Sequence, residues 1–150
     1  MLGLAILRLA GGSLLGVGGS TLRATEMSGD RSEVIVCVPV TVEGVVDSRW
    51  GRADRVAVAT AARGGVEGWR EYDVGWGSLH DAGTEGSHHA RVARFLREHR
   101  VEAVVAHHMG AGMVHMLGKM GLTVQLGAAG SAREAVREAF RAGGGRDSSA

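Results

Sequence analysis

Seven histidines offer this chain's most legible chemistry, and five of them, His80, His88, His89, His107 and His108, fall at expected junctions between secondary-structure elements. Imidazole is the commonest protein ligand for transition metals. Histidines gathered at one end of a fold would therefore suit a metal or a metal–sulfur group. His88, His107 and His108 are the candidate metal ligands: the first opens a helix, and the other two leave a strand directly. His88 also continues an apolar stripe, so a buried, hydrogen-bonded role is its alternative. His89 points about 100° away around the helix and is expected to be solvated. His99 lies about 16 Å along the helix from His88 at 1.5 Å per residue, at the end where a cation suits the helix dipole. His115 lies inside a later helix.

The methionines compete for the same chemistry. Met109, Met113, Met116 and Met120 recur at helical spacing, which reads as core packing for the last three. Met109 sits at a loop edge. Cys37 lies within a strand and reads as a small buried hydrophobe. Gly110 and Gly112 allow close backbone approach at a helix N-terminus, which favours an anion.

The elements that must position these residues follow from periodicity. Val34–Val38 is a continuous β-branched run, as a strand buried on both faces requires, and Pro39 stands at its exit. Strands are expected at 55–59 and 66–72, joined by a tight turn at 63–65 into an antiparallel meander. A loop from Val74 to Gly86 follows, then a helix from His88 to Arg100 capped by Ser87. Further elements are a strand at 102–106, a helix from about Gly110 to Lys119 and a strand at 122–126. Ser131, with Glu134 three residues on, forms a capping box for the last helix. A right-handed crossover carries strand four past the meander to pair in parallel with strand one. The expected sheet order is 3-2-1-4-5 with only strand two antiparallel, an α/β, three-layer ribonuclease H-like plan. Ligands of open α/β sheets bind outside the carboxyl ends of strands where connections diverge, here between strands one and four.

Composition narrows the function classes. A chain of 150 residues fits one domain with a real core. A net charge of +1 gives no electrostatic case for nucleic acid. Lys119 is the single lysine among 17 basic residues, which together with 25 glycines looks like coding bias. One cysteine excludes an intrachain disulfide and any all-cysteine cluster site built from a single chain. Residues 1–30 read as a flexible extension, with Met27 as the suspected natural start, 31–142 as the domain and 143–150 as a flexible tail. The first 26 residues fit neither a membrane span nor a good signal peptide, so a cytoplasmic protein that engages no membrane is expected. Ribonuclease H-like nucleases need carboxylates on the first strand; Val36, Cys37 and Val38 stand there instead. No nucleophile–base pair is legible, so no enzyme is expected.

From Val34 to about Phe140 the chain resembles the dinitrogenase iron-molybdenum cofactor biosynthesis family. The resemblance rests on IVCVPV, on VVDSRWGRAD, and on GSHHARVARFLREHRVEAVVAHHMGAGMVHMLGKMGLTVQLG. Within these, Pro39, Ser48, Trp50-Gly51 and Ala53 follow the family's order. It departs at Trp50, where phenylalanine is usual, and at His107-His108, where glycine-rich sequence is common. The resemblance implies a small ribonuclease H-like domain that binds or carries an iron–sulfur or iron–molybdenum type cluster precursor, exchanged with donor and recipient proteins. Its cofactor-binding residues would be Ser48, Trp50 and Arg52 in the strand-one loop; Met109 and Gly110 join them as candidates from their place at the strand-four exit, not from the resemblance. The alternatives are a mononuclear zinc, nickel or copper site on His88, His107 and His108, or a metal-free interaction domain on the same fold.

Overall fold

A computed structural model describes residues 33–63, 65–81 and 83–149. The chain divides into the units Met1–Ser32 and Glu33–Ala150. The expected extension at 1–30 and the suspected start at Met27 lie outside the described residues.

Five strands, β1 (Glu33–Pro39), β2 (Arg55–Ala62), β3 (Gly65–Asp73), β4 (Ala103–Val105) and β5 (Thr123–Gln125), form one sheet in the order 3-2-1-4-5. β1 pairs antiparallel with β2 from Glu33↔Ala62 to Pro39↔Val56. On its other side it pairs in parallel with β4 through Val36↔Ala103 and Cys37↔Val104, and β5 adds in parallel to β4. The parallel ladder stops before Pro39, so the missing N–H costs no bond on that side. Only β2 runs against the rest. Between β2 and β3 the register shifts: Val58↔Arg70 gives way to Thr60↔Glu67, so two steps of β2 face three of β3. Gly68, at φ +61, accommodates the extra residue.

The helices are α1 (Trp76–Asp81), α2 (Glu85–Glu98), α3 (Ala111–Lys119) and α4 (Ala132–Ser149). Alternation along β1 sends successive side chains to opposite layers. Cys37 joins Val92 and Leu96 of α2 and Met113 and Leu117 of α3 in one core. Val36 and Val38 join Ala132 and Val136 of α4 in the other. Cys37 is fully buried, and burial pushes its thiol well above the ordinary value. Met116 and Met120 pack against the first core, as their spacing predicts.

Three local expectations need correction. Thr84, not Ser87, caps α2: its Oγ1 accepts the Ser87 N–H at 3.1 Å, and Ser87 Oγ donates back to the Thr84 carbonyl at 2.9 Å. The helix therefore starts three residues before His88. The 74–86 loop is not irregular throughout, because α1 forms where Trp76 is buried against Trp50. At the C-terminus α4 continues to Ser149, across the segment whose composition reads as a tail. Ser131 does cap α4, its Oγ accepting the Glu134 N–H at 3.3 Å, while the Glu134 carboxylate pairs with Arg137. Among the described residues, no helix is long and apolar enough to cross a membrane.

Candidate functional site

The chain leaving β1 turns tightly at Thr41–Gly44 and returns, with Val46 N–H donating to the Gly130 carbonyl and Asp47 N–H to the Pro39 carbonyl. Asp47 is buried, and its Oδ1 accepts the Arg49 N–H at 3.0 Å. A 3-10 turn, Trp50–Arg52, follows. Trp50 anchors it, buried edge-on against Trp76 with ring centroids 5.2 Å apart. Trp50 Nε1 is buried without a hydrogen-bond partner among the described residues. Gly51 lets α2 come close, since a Cβ there would lie 3.2 Å from His88 Nε2.

The chain leaving β4 supplies the opposite wall. Its direction alternates, so His107 and His108 point to different sides. Met109 is buried, and Gly110 starts α3 without a side-chain cap. By helix geometry the first N–H groups of α3 have no intrahelical acceptor, and the end of the helix carries partial positive charge.

Between these walls lies a cavity of about 420 Å³. The strand-one loop contributes Ser48 to Arg52, α2 contributes Glu85, His88 and His89, and the β4 exit and α3 contribute His108 to Met113. It opens at the carboxyl ends of β1 and β4, where their connections diverge, the place such sheets use for ligands. Glu85 is the one carboxylate on its wall among the described residues. Arg49 and Arg52 face it with positive charge. Asp47, by hydrogen bond and then by charge, raises Arg49 further above the ordinary guanidinium value.

Of the residues expected to form a site, Ser48, Trp50, Arg52, His88, His108, Met109 and Gly110 line this one cavity. His107 does not. Its Nδ1 lies 3.1 Å from the Ala128 carbonyl in the loop after β5, and its ring is exposed. The candidate metal set of His88, His107 and His108 is therefore not brought together. Among the described residues no three of His, Cys, Asp and Glu are arranged to hold one metal ion. His99 packs on Tyr72 and Phe95 at centroid distances of 4.5 and 4.3 Å and does not line the cavity. His115 is exposed and off the cavity; the side chain of His80 lies outside the described residues.

Sequence reasoning missed Arg49, Glu85 and His89. His89, expected in solvent, is only 24% exposed at its side chain and sits 3.8 Å from Glu85 Oε2. Gly112 lies beside that pair, where a Cβ would stand 3.4 Å from His89 Cε1, at contact distance. Met113, read as core, is both core and cavity wall. The available signal for Arg49 was the Asp-x-Arg spacing, which allows a carboxylate to take the N–H two residues on.

Comparison with known proteins adds an independent line. Among curated protein sequences no match is found. Among solved structures, the crystal structure of PH0822 superposes with a TM-score of 0.57 at 18% identity, covering 73% of this chain and 92% of that one. The apo form of the orange protein from Desulfovibrio gigas gives a TM-score of 0.54 at 21% identity, covering 71% of this chain and 83% of that one. At these identities both similarities speak for the fold. The family model described as dinitrogenase iron-molybdenum cofactor matches residues 32–143, nearly the whole described domain. With its motif order, sheet topology and family match in agreement, this chain belongs to the dinitrogenase iron-molybdenum cofactor family.

Proposed function

We propose that this protein binds and carries an anionic metal–sulfur cluster, of the iron–sulfur or iron–molybdenum type, in the cavity between β1 and β4, and that it performs no catalysis of its own. The observation that carries the reading is the composition of that cavity wall. It combines an uncapped helix N-terminus, two arginines, the His88 and His108 imidazoles and the Met109 and Met113 thioethers. Cluster sulfides are diffuse acceptors of N–H hydrogen bonds, and a net negative cluster is favoured by the helix end and the guanidinium groups. Thioether sulfur is soft and polarizable, which suits contact with such a surface. A carrier needs its cargo held without a closed cage, and this wall offers imidazoles without thiolates. The reading assigns the chain a donor and a recipient protein and places it in the cytoplasm, in keeping with its single buried cysteine. The wall's one carboxylate, Glu85, is too few for two-metal hydrolysis.

The test is an anaerobic titration of the full chain with tetrathiomolybdate, with ferrous iron plus sulfide, and separately with zinc. Saturable binding of the sulfide-bearing probes, weakened by His108→Ala and unaffected by His107→Ala, is expected. Zinc binding alone, abolished by either substitution, would favour the mononuclear alternative and overturn the carriage reading.

A further inference from the structure

The strand-one loop holds a charged pair, Asp47 and Arg49. Asp47 is the one buried carboxylate among the described residues, 8% exposed. Its backbone is already fixed, the N–H donating to the Pro39 carbonyl at 2.9 Å. Its Oδ1 accepts the Arg49 N–H at 3.0 Å, which suffices to close the turn. Yet Oδ1 also takes Arg49 Nε at 3.3 Å, and Oδ2 takes Nη2 at 3.5 Å. Arg49 is 60% exposed at its side chain. An arginine that exposed would ordinarily sample many rotamers in water, and pairs of this kind contribute little to stability. Here the guanidinium is clamped along one edge, and its residue lines the cavity. With Nε and Nη2 engaged by Asp47, the Nη1 amine and the second Nη2 hydrogen are left for another acceptor.

We propose that Asp47 is a positioning residue: it locks the Arg49 guanidinium at the cavity wall, so that Arg49 meets an anionic metal–sulfide cargo with a preset donor edge. This rests on the carriage reading and adds which residue orders the binding arginine. Preorganisation lowers the ordering cost of binding, and a charge-assisted hydrogen bond is stronger than a neutral one.

Charge and positioning make opposite predictions. Asp47 is an anion near an anion site, so Coulomb's law alone says that removing its charge tightens binding. Positioning says that removal weakens it. Asp47→Asn keeps an oxygen for the Arg49 N–H, and so preserves the turn, but loses the ionic clamp. Arg49→Lys keeps the charge on an exposed side chain but lacks the fork that Asp47 holds, and it remains informative if the Asp47 variant fails to fold. Tetrathiomolybdate is titrated anaerobically into the full chain and followed by visible absorption. Expected are Kd values about tenfold weaker for Asp47→Asn and for Arg49→Lys, the size of one charge-assisted hydrogen bond. In an Arg49→Ala background, Asp47→Asn should bring no further loss. Equal or tighter binding by Asp47→Asn, or the same loss with Arg49 absent, overturns the inference while leaving carriage intact. Wild-type protein that does not bind the probe overturns carriage itself, and the positioning role with it.

Discussion

Two glycines in helices should respond in opposite directions to the same substitution, and the structure says which is which. In an isolated helix, glycine to alanine gains about 1 kcal/mol. At Gly118 in α3 a Cβ would meet nothing within 4 Å. Gly118→Ala should therefore stabilise the fold by roughly 0.5–1 kcal/mol. At Gly77 in α1 a Cβ would lie 2.7 Å from the Arg52 carbonyl oxygen and 3.3 Å from Asp54 Oδ1. Neither side can retreat freely. Trp76 N–H donates to the Ala53 carbonyl at 3.0 Å, and the Val74 and Gly75 N–H groups donate to the Asp54 carbonyl at 2.8 and 3.0 Å. Overpacking of this kind costs about 1–3 kcal/mol, and the helix gain offsets about 1 of that. The net is a loss of up to about 2 kcal/mol, or a Tm lower by up to roughly 10 °C for a domain of this size. Thermal and urea unfolding of both variants measure it. A Gly77→Ala protein as stable as Gly118→Ala would refute the close approach of α1 to the 3-10 turn, and with it the placing of Arg52.

Met113→Ala should lower stability by about 2–5 kcal/mol, the usual range for a buried methionine, and weaken cargo binding as well, because Met113 is both core and cavity wall; unfolding and titration of one sample check both. The buried Cys37 thiol stays protonated in the native state, while the unfolded thiol ionises above about pH 9. Above that pH the folded state holds the extra proton, so stability falls as pH rises, by about 1.4 kcal/mol per unit at most. Cys37→Ala should flatten that part of the stability–pH curve, and native Cys37 should resist alkylation until the protein is unfolded. His99→Ala should leave cargo binding unchanged in the same titration, since its ring packs on Tyr72 and Phe95.

The sheet was readable because its signals are strong and local. The run Val34–Val38 can satisfy only a two-sided strand, short turns force the meander, and handedness leaves one place for β4. The position of the cavity follows from that topology. What stayed hidden depends on contacts distant in sequence. α1 has six residues and no apolar period of its own; it forms because Trp76 meets Trp50 across 26 positions. Nothing local marks Arg49, because arginine is abundant throughout the chain, and only the buried Asp47 singles it out. His107 and His108 form a pair in sequence, yet adjacent residues leaving a strand diverge. One reaches the cavity and the other reaches Ala128. The same alternation that puts Cys37 on one face of β1 and Val36 and Val38 on the other separates them.

The most direct measurement is the metal and acid-labile sulfide content of protein purified anaerobically, read beside its visible spectrum and that of His108→Ala. The account predicts metal and sulfide together, with visible charge-transfer bands that weaken in the variant. Metal without sulfide, or a colourless protein that takes up no sulfide-bearing cluster on titration, would contradict it.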